Sequence, residues 1–496
     1  MTVNPRKLRP YDQAPRRRRP LIPEAPDSAA IGFLAAAAMW LAIATGIGFV
    51  AVALATFGFS FSLRQEIGIF GLQALSVTVD AERAELAFGS ALVYGWLSNA
   101  GFAAACFIGP RLVGRPLRME KGANVGLALW NLGVLLAIAG IYLGQPGLFD
   151  WLAAPALAAD AVMLLGALAV AASFLGALTG RNPLEHYVGV WFMAVAIAAL
   201  VALLVLNLAV ELLALRDVAA GLAAVFIGRG LETLWLLGAT LATLHYVVPR
   251  ASGNPLYSAG IGILSWITWL VAAGLAPIGE LVDTSVPYWI TTIGKVASVL
   301  LIVPSFLVAA NLLMTLRGRW WQALTPGALA FSILAIAFLI GMPLIQGIGT
   351  LRPVEGMVSR TAWELGAFVY AGLGTYTFTM LALAEHAVPR LLRREWGGGP
   401  LSTATLWTAF GGTAIGAFSL MAAGLAEGSM RLQGRPPEQV APVLTAYQLP
   451  AAAGLGLAAL AGLALLVSLF LAYTTARPAS YAVPRGPSAS TAAAGH

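Results

Sequence analysis

DVAAGLAAVFIGRGLETLWLLGATLATLHYVV, residues 217–248, is the stretch that decides the fold. It is longer than the roughly 20 apolar residues that a bilayer crossing needs, yet Arg229 and Glu232 stand in its interior. A charge near the middle of a bilayer costs about 2.5 kcal/mol or more, so it persists where it has a partner, a water-filled cavity or a task. Three residues apart on a helix, the two side chains share one face and lie within reach of each other.

The rest of the chain has the same character. Of its 496 residues 59% are hydrophobic and 10% charged, and the mean hydropathy is +0.82. That balance excludes a soluble domain of this length and predicts an all-α, polytopic membrane protein. Twelve spans are predicted, at 28–57, 86–110, 122–144, 151–179, 186–213, 217–248, 256–279, 287–316, 324–349, 361–389, 401–426 and 445–475. Alternating strands of the barrel type are absent, which leaves helices as the spanning elements.

Lysine and arginine set the orientation. Most fall in 1–27 and in the short segments after every second span: Arg111, Arg115, Arg118, Lys121, Arg181, Arg250, Arg317, Arg319, Arg390, Arg393, Arg394, Arg477 and Arg485. By the positive-inside rule these segments are cytoplasmic, with both termini inside and the chain integral to the cell (inner) membrane. The run Arg16–Arg19 precedes the first span directly and reads as an anchor to the inner membrane face rather than as a nucleic-acid patch. Residues 1–27 and 476–496 read as disordered tails around one membrane domain, 28–475. The loop 58–85, charged at its ends and apolar between, predicts an interfacial helix on the outer face. Trp151, Trp289, Trp320, Trp321 and Trp396 sit where an aromatic belt would place them.

Soluble-enzyme signatures are missing: there is no P-loop and no His-Glu-x-x-His. Cys106 is the only cysteine, so no intrachain disulfide and no Cys-x-x-Cys site forms. The four histidines are His186, His245, His386 and His496. None falls in the middle of a span, which speaks against a haem or copper site in the membrane. His245-Tyr246-Val247-Val248-Pro249-Arg250 and His386-Ala387-Val388-Pro389-Arg390 echo each other at two inner helix ends. Helix capping with positive-inside bias accounts for that echo, and so does a repeated scaffold. The ionisable residues inside spans are Asp160, Arg229, Glu232, Lys295 and Glu364. Asp160 reads as a lone protonated carboxyl beside a polar neighbour. Lys295 and Glu364 are near enough to the outer side to snorkel. Arg229 and Glu232 lie too deep for that, and are either a mutually satisfied ion-pair cluster or part of a substrate or proton path.

Four segments resemble the catalytic subunit of the cbb-type haem–copper cytochrome c oxidases. They are Glu185-His186-Tyr187-Val188 with Trp191-Phe192, the stretch HYVVPRASGNPLY (245–257), the stretch GKVASVLLIVPSFLVAANLLMTLRG (294–318), and Leu365-Gly366 with Val388-Pro389. Their order and spacing agree with the family over about 30–475. The resemblance implies a subunit-I-like bundle of twelve transmembrane helices that carries haem b, a high-spin haem and copper. The ligands implied by the family do not carry over. Its copper-binding histidine falls on Arg229, beside Gly228; its His-His pair falls near Ile278-Gly279; its His-x-His pair falls on Ala362-Trp363-Glu364; its second-span haem histidine has no counterpart in 82–111; and its seventh-span tyrosine falls near Ala272. No catalytic, cofactor-binding or metal residue and no cofactor are therefore expected. Arg229, Glu232, Lys295 and Glu364 are expected to form an intramembrane polar cluster filling the space. Three readings follow. The first is a cytochrome c oxidase subunit-I-like subunit of a respiratory complex, with other membrane subunits and a membrane-anchored cytochrome c as partners. The second is a transporter or proton conductor using the charged cluster. The third is an intact oxidase with unusual ligands.

Overall fold

The structure, a computed structural model, describes residues 23–65, 75–143, 155–179, 187–213, 217–281, 286–394, 396 and 399–474. Most of 1–27 and all of 476–496, with His186, His496 and Trp151, lie outside the described residues. Among the described residues, twelve helices are long and apolar enough to cross a membrane. They are α1 Ser28–Phe57, α2 Ala81–Val113, α3 Glu120–Leu143, α4 Leu157–Leu178, α5 Val188–Leu212, α6 Val218–Ser252, α7 Ala259–Glu280, α8 Tyr288–Thr315, α9 Ala328–Gly349, α10 Ala362–Leu392, α11 Pro400–Leu432 and α12 Pro437–Thr474. The all-α reading and the number of spans hold. The ends shift by several residues where polar residues extend a helix beyond its apolar run, as in α2, whose first turn is capped by Asp80 accepting from the Arg83 amide at 2.8 Å.

The loop before α2 differs from expectation. Its described residues form not an interfacial helix but an antiparallel pair, β1 Phe61–Gln65 and β2 Leu75–Val79, with Phe61 opposite Val79 and Gln65 opposite Leu75, and 66–74 lie outside the described residues. Its strands, FSLRQ and LSVTV, alternate apolar and polar residues with period two, and that pattern prevails over the apolar average of the loop. Between α9 and α10 a short helix, Arg352–Val358, folds back over the bundle end. Trp289, Trp320 and Trp321 are exposed near helix ends.

α2, α6 and α10 form the centre. Each is interrupted by a π-helical segment, Ala91–Ser98, Leu231–Leu236 and Tyr370–Tyr376. Each then closes on Pro-Arg: Pro110-Arg111, Pro249-Arg250 and Pro389-Arg390. The echo read in two helices is thus shared by a third, which favours the repeated scaffold over capping alone. Side chains of the π segments tie the three helices in a ring. Trp235 Nε1 donates to Ser98 Oγ at 2.9 Å, Trp96 Nε1 to Thr377 Oγ1 at 2.8 Å, and Tyr376 Oη to the Glu232 carbonyl at 3.4 Å. The hydroxyls of Ser98 and Thr377 in turn donate five residues back, to the carbonyls of Val93 and Gly372, which the wider π turn leaves available. Buried Trp40, Trp130 and Trp269 pack around this ring.

Candidate functional site

One end of the bundle carries Arg111, Arg250 and Arg390 and is called the basic pole below. The intramembrane charges gather towards the other end. The π segment of α6 begins just after Arg229 and carries Glu232 in its first turn. Arg229 Nη1 donates to Glu232 Oε2 at 2.7 Å and to Gln346 Oε1 at 3.2 Å, and Gln346 Nε2 donates to Glu232 Oε1. This closed triangle joins α6 to α9. Glu280, at the end of α7, brings Oε1 to 3.6 Å from Arg229 Nε, an ion pair too long for a hydrogen bond. The Arg229 side chain is 9% exposed and is faced by two carboxylates. A guanidinium stays charged in proteins, so its burial is compensated by these partners rather than by loss of a proton.

Backbone contact puts Glu280 there. α7 ends in a 3-10 turn, Ala276–Glu280, that lies directly on α8. A Cβ on Gly294 would stand 2.0 Å from the Gly279 nitrogen, so only glycine fits there. Lys295 follows Gly294 in the chain. Its Nζ lies 2.7 and 2.5 Å from the two Glu355 carboxylate oxygens, on the short helix Arg352–Val358. Lys295 therefore does not reach for water as its position suggested: an acidic partner folds over it. Glu364 forms no ion pair with the other three; its Oε1 accepts from the Arg360 amide at 2.8 Å. It does line a small cavity, about 240 Å³, together with Arg229, Glu232, Glu280, Gln346 and Glu355. Asp160 is not alone either: Asn207 Nδ2 donates to it and Glu211 lies beside it.

Three members of this arrangement, Glu280, Gln346 and Glu355, were not singled out from sequence. Glu280 and Glu355 stand just past span ends, where carboxylates are ordinary. Gln346 offered the one usable signal, a long amide inside an apolar span.

A larger cavity, about 520 Å³, opens between α2, α6 and α10 beside the cluster. Leu86, Val93, Leu97, Leu231, Leu236, Leu365 and Phe368 make its walls, and its polar groups are Glu85, Ser90, Tyr94, Glu232, Glu364 and Tyr376.

The sequence model of the family described as Cytochrome C and Quinol oxidase polypeptide I matches residues 28–457. The chain belongs to this family. Its curated relatives include the cbb3-type cytochrome c oxidase subunit CcoN1 of Stutzerimonas stutzeri, 26% identical over 69% of this chain and 73% of the relative. They also include a cytochrome c oxidase subunit 1 homolog of Agrobacterium tumefaciens, 27% identical over 62% and 58% of the two chains. Cytochrome c oxidase subunit 1 of Rhodobacter capsulatus is 25% identical over 69% and 66%. The protein is thus a cytochrome c oxidase subunit-I-like integral membrane protein.

The family carries haem and copper, and the residues at the centre do not fit them. Membrane haem and copper are held chiefly by imidazole, with thiolate or thioether as alternatives. Among the described residues, no histidine, cysteine or methionine lines either cavity; the polar lining is carboxylates, phenols, the hydroxyls of Ser90, Ser359 and Thr350, and Arg229, Gln346 and Trp363. The phenol of Tyr376 donates to a carbonyl, and Glu85, Glu232 and Glu364 would repel the carboxylates that a haem carries. At Gly279, where the resemblance places a copper-binding pair, a Cβ would fall 2.7 Å from the α8 backbone. His245 and His386 belong to the basic pole, one helical turn from Pro249-Arg250 and Pro389-Arg390.

Proposed function

We propose that this chain is a subunit-I-like scaffold subunit of a respiratory electron-transfer complex, working without the family's oxygen-reducing centre. The observation that carries the reading is the donor set between α2, α6 and α10, where carboxylates, phenols and a closed Arg229–Glu232–Gln346 triangle stand in place of imidazoles. Of the polar cluster of Arg229, Glu232, Lys295 and Glu364, the first two then tie α6 to α7 and α9 through Glu280 and Gln346, Lys295 ties α8 to the Arg352–Val358 helix through Glu355, and Glu364 lines the same cavity without bridging helices. A fold without its ligands does not inherit the activity. The partners are other membrane subunits, including a membrane-anchored cytochrome c. The basic pole faces the cytoplasm of the cell membrane, with both termini inside, as its arginines favour. No feature of the relatives supports a transporter.

A haem and metal assay on the purified full-length protein tests this. The expected result is well under one haem b and one copper per chain, with no oxygen uptake from reduced cytochrome c. One haem b per chain with oxygen uptake would overturn it.

A further inference from the structure

At the basic pole Phe107, Tyr246 and His386, one from each central helix, meet edge to face with centroids 5.9, 6.3 and 5.7 Å apart. One helical turn beyond each ring stands an arginine. Arg111 lies 3.8 Å over the Phe107 ring and is gripped by both carboxylate oxygens of Asp27 at 2.9 Å. Arg390 donates to the His386 carbonyl. Arg250 is the exception: it is exposed, sits 5.9 Å from the Tyr246 ring, and has no carboxylate partner among the described residues.

Arg250 lines a cavity of about 440 Å³ together with Tyr187, His245, Tyr246 and Asn254. His245 is completely buried, and its Nδ1 lies 2.7 Å from the Leu241 carbonyl. A carbonyl only accepts, so Nδ1 carries the hydrogen and Nε2 of the neutral ring presents a lone pair. Nε2 has no partner among the described residues. The Tyr187 hydroxyl cannot serve it, being donated to the His245 carbonyl at 2.8 Å. A buried polar atom left unpaired is costly and calls for an occupant. The lining thus offers a guanidinium and an acceptor lone pair, and asks for an anion with a hydrogen-bond donor beside it.

We propose that this cavity binds a phosphate group with an adjacent hydrogen-bond donor. The Arg250 guanidinium takes the phosphate oxygens in its planar fork. His245 Nε2 accepts the hydrogen of the neighbouring hydroxyl or ammonium. A phospholipid headgroup and free dihydrogen phosphate share this chemistry. The inference stands apart from the proposed function, because neither residue belongs to the cluster around Arg229.

The test uses full-length protein in detergent, stripped of lipid. It is titrated separately with phosphatidylglycerol, phosphatidylcholine and inorganic phosphate, with lipid occupancy read by native mass spectrometry and phosphate by calorimetry. Phosphatidylglycerol should bind more tightly than phosphatidylcholine, whose quaternary ammonium has no N–H to offer. Arg250→Gln should weaken it about tenfold, the loss of one charge-assisted contact. His245→Phe should abolish the discrimination between the two lipids. If inorganic phosphate alone binds, and Arg250→Gln weakens it, the proposal stands with a soluble source. Equal binding of all probes to wild type and Arg250→Gln, or no binding at all, overturns it. Arg250 is exposed, so its variant folds and decides the matter even where His245→Phe fails to purify.

Discussion

At the basic pole α2, α6 and α10 present the same parts: a ring, a proline three residues on, and an arginine after it. Towards their other ends they share nothing of the kind. α2 offers Glu85, α6 the pair Arg229 and Glu232, and α10 Glu364. The π segments and their Trp96, Trp235 and Tyr376 bonds mark the border between the two regimes. Where the rings of the three helices meet one another, a repeated solution serves. At the other ends the charges of α6 find charged and amide partners on its neighbours, Glu280 of α7 and Gln346 of α9, while Glu364 of α10 turns back to the Arg360 amide.

The sharpest way to break this contrast is Arg229→Met. It leaves Glu232 and Glu280 facing each other without a cation, and should lower stability by about 3–5 kcal/mol. The double variant Arg229→Met with Glu232→Leu should recover much of that loss, because an apolar pair of similar volume replaces a buried ion pair at little cost. Unfolding in mixed micelles would show it, and a single variant as stable as wild type would mean that water already reaches the site. At the border, Trp235→Phe removes one bond of the ring and should cost about 1–2 kcal/mol in the same measurement. At the basic pole Arg111→Gln should cost about 1 kcal/mol or less, since the Asp27 pair is partly exposed. A reversal of this order would show that the repeated end, not the divergent one, holds the bundle together.

Hydropathy made the spans legible, because the backbone in lipid has almost no choice but helix. It also exposed Arg229 with Glu232, whose spacing and depth are properties of one helix. Contacts between elements were not legible. The partner of Lys295 lies 60 residues away, on a helix that folds back over it. The π segments carry no sequence signature, and the third Pro-Arg was hidden because Phe107 stands where the other two helices have Tyr246 and His386. The hairpin was missed because the whole loop was averaged, when the alternation within its strands was the informative scale. For the cofactors, the resemblance located the positions and the sequence named the residues there, and the geometry showed what those residues touch.

The contact between Gly279 and Gly294 has a historical side. Where two backbones touch without a side chain between them, no single substitution can make room. Restoring imidazoles at 278–279 would first require α7 and α8 to part, and with them Glu280 and Lys295, the residues that immediately follow the two glycines. An imidazole placed at 279 would lose folding before it gained a ligand. Under the function proposed here, the seam acts as a ratchet: a lineage that has closed it can diversify around its new charges, but cannot readily return to binding metal.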